Sequence, residues 1–424
     1  MATSPATPSA AMTPARKALG ERELMWMMAM LMALNAFGID AILPALDALA
    51  ADLSVSGNDR QFVIGVYLLA GGIGSLVPGA LADRFGRRPI LLGSVAIYIV
   101  LSALSALAPS YDTLIAVRAV QGFFAAGIVA LPPAIIRDRV GGDKMARMMS
   151  LIFVIFLMVP AIAPTIGEGI LQTFGSWRAI FGAMAVLGVV MGSWVFIRLP
   201  ESLTDENRQP IEIRSISRHM VRALALPSTF GYVIGSALVF GALFGFINSS
   251  QLITETFKAG DIFPKVFAIC AGSMALASWS NSRIVERFGA RRVSHTALFA
   301  FIAVSAVQVM FAFQPDEELW QFVPLMAINM ALLGFIGSNF GAIAMNPFFE
   351  TAGAASSAHG FVRMTMASLL GGSIGYAFDG TARPLALALL ASGLACLVLV
   401  LLSEKGKLFG PSDAEDRLGA EPQD

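Results

Sequence analysis

The chain has 424 residues, 56% of them hydrophobic and 14% charged, with no net charge. A soluble domain carries about 25% charged residues, so a water-soluble globule is excluded, and the balanced charge argues against nucleic acid as a partner. Two cysteines and three histidines at scattered positions exclude a disulfide framework and a metal site of known spacing.

In chain order, residues 1–23 open with a segment rich in Ala, Thr, Ser and Pro that reads as a disordered cytoplasmic tail. Twelve apolar runs follow, at about 24–47, 60–82, 90–108, 112–136, 148–172, 177–198, 230–254, 264–285, 293–313, 320–347, 355–378 and 383–403. Each approaches the roughly 20 residues that cross a bilayer as a helix. Backbone groups in lipid must be satisfied within the segment, and the ten-residue alternation of barrel strands is absent, so the runs are helices. The expected fold is an all-α membrane protein of twelve transmembrane helices in two six-helix bundles. The bundles span 24–198 and 230–403. The charged, proline-containing stretch 199–229 is a cytoplasmic linker, and 404–424 is a second cytoplasmic tail. Cys270 and Cys396 lie inside apolar runs and read as small buried hydrophobes.

Most of the 29 basic residues fall in the loops on one side. Only Arg60, Arg178, Lys258, Lys265 and Arg383 belong to the loops of the other. The positive-inside rule therefore places both termini in the cytoplasm.

The loop after the second run reads Gly79-Ala-Leu-Ala-Asp83-Arg84-Phe-Gly86-Arg87-Arg88. A related loop follows the eighth run, with Glu286, Arg287, Gly289 and Arg291 each 203 residues after Asp83, Arg84, Gly86 and Arg88. Such a parallel repeat builds a transporter with its site between the halves. The first loop resembles the signature of the major facilitator superfamily. Leu114-x-x-x-Arg118-x-x-Gln121-Gly122 is similar to that superfamily's fourth-helix motif, and Pro160-x-x-x-Pro164-x-x-Gly167 to the antiporter motif of its drug exporters. Asp40 before Leu43-Pro44, and Trp177-Arg178 opening the sixth run, narrow the resemblance to Bcr/CflA-type drug:proton antiporters. Glu168, where relatives carry a second glycine, and Arg363, within the eleventh run, depart from the pattern.

The resemblance implies a bacterial inner-membrane secondary transporter that exports small amphiphilic molecules against protons. It would need no cofactor and act as a monomer. No Walker loop supplies ATP as an alternative energy source. A siderophore or other charged metabolite could be carried on the same fold, in either direction. A non-transporting sensor would not need the Asp83 loop, and an enzyme would need a nucleophile, base or metal cluster that the sequence lacks.

Ionisable groups inside a bilayer are costly and mark functional sites. Asp40 lies about seven residues, or roughly 10 Å, from the end of the first run. Arg118 lies at a similar depth in the fourth, so Asp40 is the candidate proton carrier and Arg118 the partner that biases it. Glu168 reads as a surface partner for Arg178 or a second titrating site. Asp83 is expected to latch onto the start of the eleventh helix, where the helix dipole attracts a carboxylate. Gly79 and Gly86 would allow close packing and the turn, with Arg84, Arg87 and Arg88 around them. Asn35, Gln121, Asn248, Asn339 and Arg363 are the candidate cavity residues, with Glu350 a possible partner for Arg363. His359 reads as a structural hydrogen-bonding group.

Overall fold

A computed structural model describes residues 19–140, 142–204, 226–249, 255–348 and 352–410, with Arg208, Val221 and Leu224 between. Glu350 and most of the 199–229 stretch lie outside the described residues.

Among the described residues every long element is a helix and no strand occurs. The first six spans are α1 Glu21–Asp40, α2 in two pieces (Phe62–Gly74 and Pro78–Phe85), α3 Arg87–Ala106, α4 Tyr111–Arg139, α5 Gly142–Phe174 and α6 Arg178–Arg198. The second six are α7 Pro227–Asn248, α8 Phe263–Phe288, α9 Ala290–Ala312, α10 Leu319–Met345, α11 Ala352–Tyr376 and α12 Arg383–Ser403. Among the described residues, eight helices are long and apolar enough to cross a membrane, and nine if α2 counts as one span bent by 46°. α8 and α11 are long enough but interleave Ser, Gly and Asn or Thr with their apolar residues, because they pack against the other bundle.

The two bundles repeat one packing pattern. α1 lies on α4, α5 and α6, and α7 on α10, α11 and α12; α3 packs on α6, and α9 on α12. Two seams join the bundles, α2 against α11 and α5 against α8. The repeat extends to single residues. Gly86 and Gly289 end α2 and α8 at φ 103° and 78°, a backbone region that side chains with a Cβ rarely adopt. Arg178 donates to the Ala108 carbonyl at 3.1 Å, and Arg383 to the Ala312 carbonyl at 3.2 Å. Both cap the ends of the third helix of a bundle.

The described chain ends lie on one side. There Glu23 pairs with Arg198 at 2.7 Å and Glu404 with Arg291 at 2.9 Å. The opposite side is closed across the seam. Asn58 Nδ2 donates to the Tyr376 and Phe378 carbonyls at 2.7 and 2.8 Å, and Arg60 bridges Asp47 to Glu255 of the other bundle. Deeper in, a Cβ at Gly72 would meet Thr365 of α11 at 2.8 Å. Only a glycine there lets α2 and α11 come so close.

Candidate functional site

Asp40 closes α1, just before a 3-10 turn at Leu43–Ala45 that begins around Pro44. It is 3% exposed. Its Oδ1 is buried and meets no hydrogen-bond donor among the described residues. A buried polar atom normally has a partner, and an intramembrane carboxylate without one is costly while ionised. One residue on, a Cβ at Gly167 of α5 would lie 1.9 Å from the Ala41 carbonyl oxygen. The glycine of the Pro160-x-x-x-Pro164-x-x-Gly167 pattern therefore lets α5 cross the end of α1 one residue beyond the carboxylate. Pro164 is buried one turn earlier. Glycine supplies the approach and the prolines weaken the α5 hydrogen-bond ladder around it.

Arg118 is fully buried in α4, but the direct pair with Asp40 expected from their shared depth is not formed. Its Nη2 donates to the Gly38 carbonyl at 3.0 Å, its Nε to the Val63 carbonyl at 3.1 Å and its Nη1 to Gln121 Oε1 at 2.8 Å. The guanidinium also lies 4.1 Å from the Tyr67 ring centroid and 5.5 Å from that of Phe181. Neutral carbonyl dipoles from α1 and α2 thus satisfy the cation. Gln121 continues the network, donating to Ser102 Oγ at 2.7 Å, and Tyr98 OH reaches the Leu34 carbonyl at 3.2 Å. A Cβ at Gly122 would meet the Tyr67 carbonyl at 2.1 Å. The fourth-helix motif therefore fastens α1, α2, α3 and α4 together.

Gln121, a candidate cavity residue, is buried inside the first bundle. Asn339 is buried likewise. It exchanges hydrogen bonds with Asn281 at 2.8 and 3.3 Å and ties α10 to α8. Asn35 accepts from Tyr67 OH at 2.6 Å and adjoins the Arg118 network. Asn248 is fully buried where α7 meets α11; its Nδ2 donates to the Phe244 carbonyl at 2.7 Å. Its Oδ1 has no partner among the described residues, and a Cβ at Gly65 of α2 would come within 3.9 Å of it. Arg363 is half-buried in α11, its guanidinium over the Phe240 ring at 5.0 Å. Glu168 accepts from Gln172 at 2.7 Å, whereas Arg178 pairs with Asp52, so the expected Glu168–Arg178 contact is absent. The His359 ring lies edge-on to Phe348 at 5.8 Å.

At the Asp83 loop, Asp83 is 43% exposed and pairs with Arg87 at 2.5 Å, while Arg87 Nε reaches Asp138 at 3.1 Å. Among the described residues neither Asp83 nor its neighbours bond to α11, so the expected contact is not made. Gly79 also differs from expectation, because a Cβ there would meet nothing within 4 Å. Arg84 lies beside the Phe85 ring at 5.6 Å, and Arg88 donates to the Phe196 carbonyl at 2.8 Å. The anchor of this loop is Glu201, which sequence reasoning missed. Its carboxylate accepts the backbone N–H groups of Arg87, Arg88, Ser202 and Leu203 at 2.9 to 3.1 Å. Partial burial pushes its pKa up, but the four N–H donors outweigh that and hold it below the usual carboxylate range. Its counterpart 203 residues on is Glu404, the signal that the loop repeat alone did not reveal. Among the described residues no cluster of His, Cys, Asp and Glu could hold a metal ion.

Comparison with known proteins decides the family. The profile described as Major Facilitator Superfamily matches residues 28–376. The chain belongs to the major facilitator superfamily. A bicyclomycin resistance protein homolog of Haemophilus influenzae is 31% identical, covering 87% of this chain and 91% of its own. The multidrug resistance protein MdtL of Escherichia coli is 28% identical over 78% of this chain and 83% of its own. Among solved structures, a bacterial homolog of the human lysosomal transporter Spinster, inward-facing and unoccupied, aligns with a TM-score of 0.64 at 14% identity, covering 92% of this chain and 95% of its own. The human organic anion transporter MFSD10 aligns with a TM-score of 0.60 at 16% identity, covering 90% and 99%. Both show the shared fold. As a member of this superfamily the chain is a multi-pass membrane transporter of small molecules and not an enzyme.

Proposed function

We propose that this transporter is a proton-driven antiporter that exports small amphiphilic molecules across a bacterial inner membrane by alternating access, as a monomer with both termini in the cytoplasm. The observation that carries the reading is Asp40, a buried carboxylate whose Oδ1 meets no donor among the described residues, placed where α5 crosses the end of α1 at Gly167. A carboxylate there is best accommodated neutral and must be reached by water to ionise. Movement of α5 against α1 supplies that access in one state and withholds it in another. Proton loading at Asp40 is thereby tied to the conformational cycle. Arg118 holds the helices around it through the Gly38 carbonyl and acts on Asp40 through that scaffold. The bicyclomycin and multidrug resistance relatives support drugs or drug-like metabolites as cargo.

In this reading the side joined by Asn58, Arg60 and Glu255 is the periplasmic side, and the arrangement faces inward. The Asp83 loop engages α11 only when the protein faces outward, which fits its pairing with Arg87 here. The bundles 24–198 and 230–403 rock about the α2–α11 and α5–α8 seams, with 199–229 as their connector. Purified protein in liposomes with an imposed pH gradient tests the proposal: uphill drug movement must follow the gradient and must be lost in Asp40→Asn. A gradient-driven Asp40→Asn protein would remove Asp40 from the mechanism.

A further inference from the structure

Arg363 stands eleven residues into the 25-residue α11, roughly 16 Å from its start. An arginine near the bilayer centre costs about 2.5–3.5 kcal/mol on the insertion scale. Arg118 shows how this fold meets such a cost, with three acceptors and two aromatic rings around the guanidinium. Among the described residues Arg363 has one ring, that of Phe240 on α7. No hydrogen bond or ion pair to it occurs among the described residues, and its buried Nε meets no acceptor. It is not turned out to lipid, since it remains half-buried on a helix that packs on α7 and, across the seam, on α2.

The ring beneath it is held in place. A Cβ at Gly337 of α10 would meet Phe240 Cε2 at 2.7 Å, so one edge of the phenyl packs on α10 where that helix has no side chain. Three helices of the second bundle thus present a cation on a fixed aromatic support. Gly72 of α2 abuts Met364 and Thr365, the next residues along α11. Arg363 thus sits on the helix that forms the α2–α11 seam, which alternating access must open and close.

We infer that Arg363, supported by Phe240, recognises the transported molecule, and that this molecule is an organic anion: a carboxylate, sulfonate or phosphate group on an apolar body. The inference rests on the export reading above. A planar fork of N–H donors matches such a group bidentately, and the apolar body lies along the aromatic and aliphatic residues around Phe240. Among the described residues no acceptor is spent on this arginine, so the anion meets it there without displacing an ion pair.

Two dyes with one xanthene skeleton, anionic fluorescein and cationic rhodamine 6G, test the inference in the same pH-gradient liposomes. The unsubstituted protein should move fluorescein. Arg363→Gln should slow it by about tenfold or more, Arg363→Lys should lose part of the rate because charge remains without the fork, and rhodamine 6G uptake should be unchanged by either. Equal losses for both dyes would overturn the assignment. So would an unsubstituted protein that moves rhodamine 6G but not fluorescein; in both cases the export reading stands. Movement of neither dye would remove the export reading and the inference with it. If Arg363→Gln does not fold, Phe240→Leu carries the test: it should selectively weaken fluorescein transport, and an equal effect on both dyes counts against the site.

Discussion

Arg118 donates to the carbonyl of Gly38, two residues before Asp40, at 3.0 Å, and not to the Asp40 carboxylate. The cation thereby fixes the backbone that carries the acid without forming an ion pair with it. A salt bridge would hold Asp40 ionised, since a neighbouring guanidinium favours the charged form. Hydrogen bonding to a carbonyl avoids that.

The two residues should therefore fail differently. Asp40→Asn should insert, fold and exchange substrate between two equilibrated sides, but lose uphill transport driven by a pH gradient. Counterflow and gradient-driven uptake measured on one preparation separate these. Loss of both activities would make Asp40 a substrate ligand and not a proton site.

Arg118→Met should destabilise the protein itself. It leaves the Gly38 and Val63 carbonyls and the Gln121 amide oxygen without their donor, at about 1–3 kcal/mol for each buried group. Thermal melting in detergent should show the fall. An Arg118→Met protein that melts like the parent would mean that this network is not structural.

Gly167→Leu should abolish transport, because no rotamer avoids the Ala41 carbonyl, against which a Cβ would already sit at 1.9 Å. Overpacking of this kind costs about 1–3 kcal/mol when the helices can shift. Gly167→Ala should therefore be folded, slower and less stable. Normal turnover by the alanine variant would show that α1 and α5 separate readily and that their contact is incidental.

The two sides of the seam should respond in opposite senses. Arg60→Ala removes the bridge from Asp47 to Glu255 and should raise labelling from the periplasmic side of a cysteine placed at Thr365, with Cys270 and Cys396 replaced. An ion pair whose carboxylates are about half exposed is worth about 0.2–1 kcal/mol, so the shift should be severalfold at most and larger with Asn58→Ala added. Asp83→Ala should raise labelling of the same cysteine from the cytoplasmic side, because a latch made in one state changes populations when removed. The same direction of change in both variants would refute the two-gate assignment.

Glu201 predicts a pH dependence. Its folded-state pKa lies below the usual range, held there by backbone N–H donors that outweigh partial burial. A depressed carboxyl pKa stabilises above the unfolded value, and that contribution disappears as pH falls through the folded value. Glu201→Gln should therefore melt lower than the parent at neutral pH, and the gap should close in acid below the ordinary carboxylate range. Melting curves across pH check this; a constant gap would assign the effect to packing.

Much of this protein was fixed by its sequence because lipid leaves few choices. Apolar runs near twenty residues must be helices in a medium without water. Arginines and lysines that cross the bilayer poorly mark one side of it, and the repeat of Asp83–Arg88 in Glu286–Arg291 declares two like bundles. Asp40, Arg118 and Gly167 were legible as special residues because a charge in an apolar run, or a glycine in a spaced proline pattern, has few cheap explanations. Who touches whom was not legible. Depth placed Asp40 and Arg118 at one level, but helix rotation decided that the guanidinium meets the Gly38 and Val63 carbonyls. Gln121, Asn339 and Arg363 were all candidate cavity residues in the sequence; packing made the first two helix fasteners and left Arg363 over the Phe240 ring. The Asn58, Arg60 and Glu255 closure joins residues nearly two hundred or more positions apart, and Glu201 acts through backbone N–H groups that no side-chain pattern records. Those contacts exist only once twelve helices have settled against one another, since each depends on the angle and distance between helices and not on the order of residues within one.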